Sequence, residues 1–229
     1  MELRRLVETV VVAVIVGIST VAGAAETPLG LLNVKDFGAK GDGVADDTAA
    51  IQQAIDRAGK ASPDDPAVKL PPGVFFPAGT YRVTKTIVIN REHELEQLVG
   101  VSKGYTTLKY DGEAGQHLLD LVGCKTALKT AELKLNGSDK ADVLMRINSV
   151  LGVGTGLLYF ERVDFSHARA GVEIGKDFDS CASDMTIVDC NFSHLTDVGF
   201  RTCNGQNVDY VFIRCVATCH ACEPSAGLA

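Results

Sequence analysis

Apolar positions recur along this chain with one period over a short stretch near the start and a different one over most of the remainder. Ile51, Ala54, Ile55 and Ala58 fall at the three- and four-residue spacing of a single helix face. Asp46-Asp47-Thr48 precede them and offer side-chain oxygens for the first free helix N–H groups, while Gly59 stands where a helix can stop in a left-handed conformation. The pattern predicts a short helix over about Thr48 to Ala58. Gly59 to Gly73 is polar, carries four of the seven prolines and reads as a loop. Val74 to Val83 then reads as two short strands about a Pro77-Ala78-Gly79-Thr80 turn, and Thr86 to Asn90 (TIVIN) as a β-branched strand.

From Leu98 onward the chain repeats. Short apolar clusters are separated by Gly, Asn, Asp and Ser. Val163-Asp164-Phe165-Ser166-His167 is echoed 27 residues later by Cys190-Asn191-Phe192-Ser193-His194, and Gly171-Val172 by Gly199-Phe200 at an offset of 28. Cys215-Val216-Ala217-Thr218-Cys219 follows Cys190 by 25. Repeats of this length signal a solenoid, and strand-like alternating units predict stacked β rungs. Period-two alternation points Val163, Phe165, Cys190 and Phe192 inward, with Asp164, Asn191, Arg162 and Asp189 outward. Phe165 and Phe192 should stack on neighbouring rungs, as should Cys190 and Cys215, which read as an interior ladder.

The opening NVKDFGAKGDGVADDTAAIQQAI at Asn33 to Ile55, followed by VFFPAGTYRV at Val74 to Val83, strongly resembles the start of a known domain. It is the pectate-lyase-like domain of polygalacturonases, rhamnogalacturonases, alginate epimerases, exo-glucanases and phage tailspikes. The resemblance implies an all-β fold, a right-handed single-stranded parallel β-helix of roughly five or six rungs. A short N-terminal capping α-helix would cover its first rung. The domain is expected over residues 31–222, with a tail at 223–229. No amphipathic helix follows the last rung, which predicts a member shortened at its C-terminal end. The resemblance further implies a polysaccharide partner and hydrolase, lyase or epimerase chemistry. The alternatives are a non-catalytic glycan-binding module, a structural spike, for which a trimer would be the natural assembly, or an inactive shortened member.

Composition adds limits. A net charge of −7 argues against nucleic acid, which needs clustered Lys and Arg. The absence of Trp leaves few platforms for stacking sugars. A basic Met1 to Arg5, an apolar Val10 to Ile18 and the small Ala22-Gly23-Ala24 form a secretory leader pattern. It predicts cleavage after Ala24 and a secreted or periplasmic protein, an uncleaved anchor being the alternative. Seven cysteines, an odd number, permit disulfides in an exported chain and leave one thiol over. Cys219-His220-Ala221-Cys222 lacks the second pair of a zinc site. Asp42, Asp46 and Asp47 lack the spacing of a calcium loop and read as capping groups. No metal or cofactor is expected.

Glycoside hydrolysis needs two carboxylates flanking one bond, whereas a lyase or epimerase needs a base near the sugar C5 proton and a cation for the carboxylate. On stacked rungs these groups would be outward side chains of consecutive turns, about 4.8 Å apart or a small multiple of that. Asp189, Asp197 and Asp164 are the catalytic candidates, Arg201 and His194 the substrate-binding ones. Thr196-Asp197-Val198-Gly199 is loosely similar to the Asn-Thr-Asp-Gly strand of polygalacturonases, but Leu195 replaces the Asn and Val198 intrudes before the Gly. That family's Asp-Asp, Gly-His-Gly and Arg-x-Lys motifs and the Asp-Pro-His-Glu of alginate epimerases have no counterpart. Asp197 therefore also reads as a turn residue. The Ser-His pairs at 166–167 and 193–194 sit at equivalent rung positions and fit a repeated turn.

Overall fold

The structure is a computed structural model, and it describes residues 30–90, 92–123, 127–148, 155–175, 182–203 and 209–218. The expected leader at residues 1–24, the Cys219–Cys222 pair, Cys124, Cys181 and the expected tail at 223–229 lie outside the described residues.

The chain winds into a right-handed parallel β-helix of about five turns, and every pairing between its strands is parallel. Each complete turn lays one strand on each of three faces. The first face stacks Leu32–Asn33, Gly73–Phe76, Gln97–Gly100, Leu128–Ala131, Thr155–Glu161, Ala182–Val188 and Tyr210–Ile213. The second stacks Asp42–Asp46, Gly79–Val83, Thr106–Tyr110 and Lys134–Asn136, then the leading halves of Asp164–Ile174 and Asn191–Thr202, then Val216–Thr218. The third stacks Ile87–Asn90, Leu119–Val122, Val143–Asn148 and the trailing halves of those two long strands. The interior is made of columns of like residues, because parallel pairing places equivalent positions one above another. Tyr81, Leu108, Leu135, Phe165 and Phe192 form one such column, all at most 5% exposed. Phe165 and Phe192 stack with ring centroids 4.9 Å apart and planes 5° from parallel. Each such side chain contributes about 1.5–3 kcal/mol by leaving water.

The predicted register holds. Asp164 pairs with Asn191 and Phe165 with Phe192, and Asn191 pairs in turn with Val216. Cys190 is buried and its thiol is pushed up to about 11 by desolvation, and both Cys190 and Cys215 are free thiols. The change of repeat from 27 to 28 residues has a structural cause. Ala168 pairs with Leu195 but Ala170 with Val198, so the later strand carries one extra residue between them. This β-bulge falls at Thr196 and Asp197. Asp197 is thus part of the strand Asn191–Thr202 and not of a turn.

The helix, α1, spans Thr48–Arg57 and buries Ile51, Ala54 and Ile55 against the first turn. It takes the place of the strand that the third face lacks there. The Gln52 amide donates to the Val88 carbonyl and accepts from the Val88 N–H, both at 2.9 Å, so a side chain satisfies the edge of Ile87–Asn90. That closes an edge otherwise open to association. The capping expectation needs correction at one residue. Asp47 occupies the N-cap position but makes no side-chain cap bond. It is 1% exposed, and its carboxylate accepts instead from the Lys40 and Gly41 N–H groups at 2.6 and 3.0 Å. Asp46 supplies the cap, accepting from the Thr48 N–H at 3.0 Å. A carboxylate held by two turn amides fixes the glycine-rich opening against the helix, which explains why three polar residues stand together there.

Candidate functional site

The outward residues at the corner between the first and second faces form one column. Glu132, Arg162, Asp189 and Arg214 occupy equivalent positions and all take left-handed backbone, with φ between 50° and 56°. Their charges alternate. Arg162 Nε donates to Glu132 at 2.5 Å, and Arg214 forks onto Asp189 at 2.6 and 2.7 Å. The Arg214 guanidinium holds the Asp189 carboxyl below the usual range. Asp164 lies two residues beyond Arg162 and accepts from Lys103 Nζ at 2.9 Å. His194 sits at the opposite corner, between the second and third faces, stacked on His167 with centroids 4.7 Å apart. Both histidines have positive φ, the geometry of a repeated corner.

Asp197 and Arg201 belong to a third place. On the third face, Asp120, Arg146, Glu173 and Arg201 are direct register partners on successive turns. Asp120 is 7% exposed, and Arg146 forks onto it at 3.2 and 2.5 Å. Beside this column Arg169 reaches three carboxylates: Asp142 at 2.5 and 3.0 Å, Asp197 at 2.8 Å and Glu173 at 3.0 Å. Arg201 also donates to Asp197, at 2.6 Å. The bulge makes this possible, because the extra residue turns Asp197 outward beside Arg169. The sequence-predicted residues are therefore divided. Asp164 and Asp189 stand at one corner, His194 at another, and Asp197 with Arg201 on the third face.

Several residues of this face escaped sequence reasoning: Asp120, Asp142, Arg146, Arg169, Glu173 and His117. A signal was available, since charged residues recur at 120, 146, 173 and 201, and at 142, 169 and 197, each step matching the rung period. His117 leads into the strand Leu119–Val122. Its Nδ1 is buried and has no hydrogen-bond partner, an arrangement that costs about 1–3 kcal/mol in a protein interior. Burial first, then the Arg146 charge, pulls the imidazole below its ordinary value of 6.5, against the opposing pull of Asp120, Asp142 and Glu173. A cleft of about 420 Å³, lined by Thr84, Lys85, Thr86, Tyr110, Glu113 and Gln116, opens next to it in the chain.

Protonation on this face runs one way. Hydrogen bonds from Arg169 hold both Asp142 and Asp197 below the ordinary carboxylate value, and their neighbours hold Arg169 firmly charged. These carboxylates are ionised near neutral pH and have no proton to give. General-acid assistance to a leaving glycosidic oxygen requires the opposite, a carboxylic acid whose pKa is raised.

Residues 31–207 match the family described as rhamnogalacturonase A/epimerase, pectate lyase-like. Among individual proteins, a non-secreted LysM effector, LysM19, of Penicillium expansum is 27% identical over 206 residues, which is 80% of this chain and 16% of that protein. A probable glucan endo-1,3-beta-glucosidase of Arthroderma benhamiae is 46% identical over 80 residues, 34% of this chain and 8% of that protein. Among solved structures, the A-module of the mannuronan C-5 epimerase AlgE4 of Azotobacter vinelandii superposes with a TM-score of 0.55 at 25% identity. That superposition covers 80% of this chain and 50% of the module. The chain thus spans no more than about half the length of these relatives.

Proposed function

The chain belongs to the rhamnogalacturonase A/epimerase, pectate lyase-like family, and from that premise we propose that it acts on a polyuronate laid across its third face, by proton abstraction at C5 of the sugar. The observation that carries this reading is the convergence of Asp142, Arg169, Glu173, Asp197 and Arg201 from three consecutive turns into one ion network. Cations gathered in this way would stabilise the charge that builds on a sugar carboxylate once C5 loses its proton. Asp142 and Asp197 in this network are held ionised by Arg169, which suits elimination or epimerisation better than acid-assisted hydrolysis. Asp197 and Arg201 act here as members of this network. Asp164 and Asp189 are paired at a distant corner and serve the scaffold.

The test is turnover on alginate, polygalacturonate and a neutral β-1,3-glucan. Unsaturated chain ends, or inversion at C5, are expected on a uronate polymer alone. Release of reducing ends without unsaturation would overturn the reading in favour of hydrolysis. A second reading is a non-catalytic glycan-binding module, favoured by the saturation of Arg169 with the protein's own carboxylates, and binding without turnover would select it. We also infer export, on the leader pattern of the first residues. Protein recovered from the medium or periplasm should begin at Ala25, and an uncleaved cytoplasmic chain would remove that inference.

A further inference from the structure

We propose that His93 is a proton-operated latch on the N-terminal cap of the solenoid: an added proton unpairs the Asn90 N–H and releases α1 from the edge of Ile87–Asn90. That strand ends its sheet, with Leu119–Val122 as its one strand neighbour. The Ile87 N–H donates toward that neighbour, to the Leu118 carbonyl at 3.0 Å, so the backbone groups of Val88 and Asn90 point to the open side. Gln52 satisfies both groups of Val88. His93 acts two residues further on, where its Nδ1 accepts from the Asn90 N–H at 3.0 Å. Its Nε2 lies 3.0 Å from Asp56 Oδ1, the same oxygen that accepts from Gln52 Nε2 at 2.9 Å. A chain of hydrogen bonds therefore runs from Asn90 through His93, Asp56 and Gln52 to Val88, and these side chains stand in for a strand.

The tautomer follows from these partners. A backbone N–H can only donate, so Nδ1 carries no proton and Nε2 holds the one that faces the Asp56 carboxylate. Both ring nitrogens are committed while the imidazole is neutral. A second proton has only Nδ1 to go to, where it would point at the Asn90 N–H and leave that donor without its acceptor. The His93 side chain is 9% exposed, which leaves water little access to the lost bond. The groups around the ring pull in both directions. Burial acts most strongly and lowers the pKa below the ordinary 6.5, with Lys60 on the same side, whereas Asp56 from the helix and Glu92 from the ring's own turn favour the imidazolium. Glu94, beside it in the chain, is taken by Lys69 at 2.8 Å. His93 therefore stabilises the docked cap above the imidazole pKa of the unfolded chain, and that contribution is lost as pH falls through the folded value.

The experiment follows the His93 ring by NMR from neutral pH downward, together with hydrogen exchange at the Val88, Asn90 and Phe165 amides, each corrected for its intrinsic rate. The Nε2–H tautomer is expected at neutral pH, with a titration midpoint below 6.5. Protection at Asn90 should fall about tenfold through that midpoint, the size of one hydrogen bond's net contribution. Val88 should follow, through Asp56 and Gln52, while Phe165 in the solenoid interior stays protected. His93→Gln keeps a neutral donor and acceptor but cannot titrate, so its Asn90 protection should no longer depend on pH. Asp56→Asn removes a charge that favours the imidazolium and should move the midpoint lower. Constant protection at Asn90 across the His93 midpoint would overturn the latch. Tighter protection in acid would overturn it too, because the ion pair with Asp56 would then outweigh the lost bond. So would acid-dependent protection in His93→Gln; should that variant not fold, the wild-type titration decides alone.

Discussion

Two sets of charges climb the same solenoid and behave differently. At the corner between the first and second faces, Glu132, Arg162, Asp189 and Arg214 alternate in one column, and Asp189 is bound by Arg214 in a two-pronged pair. On the third face, Arg169 is shared by three carboxylates, Asp197 is shared by two arginines, and His117 nearby keeps an unpaired nitrogen. The corner column follows the repeat without interruption, and its pairs tie one turn to the next. The third face departs from the repeat at a bulge, and that departure gathers groups from separate turns. An alternating ladder fixes register, whereas a break in the ladder builds a site.

The harshest perturbation of the third face is Gly171→Ala. A Cβ there would lie 2.5 Å from the Gly199 carbonyl oxygen and 2.9 Å from the Phe192 ring. The strands that bring Arg169 to Asp197 would have to separate. Overpacking of this kind costs up to about 3 kcal/mol, so thermal denaturation should show a drop of several degrees with activity lost, while the Arg214–Asp189 pair stays formed. Arg169→Ala comes next. It leaves Asp142, Asp197 and Glu173 facing one another without their shared cation, and a half-buried network of this sort should lose on the order of 1–2 kcal/mol.

Acid titration probes the same network. Asp142 has its folded pKa depressed by Arg169 below the ordinary value of 3.8. Its contribution is therefore present above the unfolded pKa and disappears as pH falls through the folded one. Wild-type stability should decline as the pH drops below about 4, and Arg169→Ala should flatten that decline; parallel curves for the two proteins would show that Arg169 does not hold Asp142 ionised. The smallest effect belongs to Asp189→Asn at the corner, where melting temperature and turnover should both stay at wild-type levels. A loss of activity there would place the reacting groups at the wrong edge of the molecule.

Much of the scaffold is legible in the chain. The echo of Val163–His167 in Cys190–His194 foretells which residues pair and which face inward, and Phe165 stacks on Phe192 as that echo requires. The helix is legible from Ile51, Ala54 and Ile55. Its main contact is not, because nothing in the sequence marks Gln52 as a substitute for a strand. Asp47 has the look of a cap and is a buried acceptor for the preceding turn. Asp197 and Arg201 stand out in the chain alongside Asp164, Asp189 and His194, yet only the first two lie on the third face and bond each other.

The alternation of inward and outward residues and the length of the repeat were already set by the order of amino acids. Both are local properties, since successive side chains on an extended backbone point to opposite sides whatever surrounds them. Which outward residues meet was left to the folded solenoid. Parallel stacking brings groups some 27 residues apart in the chain to about 4.8 Å across it, and one added residue at Thr196-Asp197 shifts that meeting by a full side chain. A partner chosen by stacking depends on every turn between, so the ion network around Arg169 and the open nitrogen of His117 exist only once the solenoid has closed.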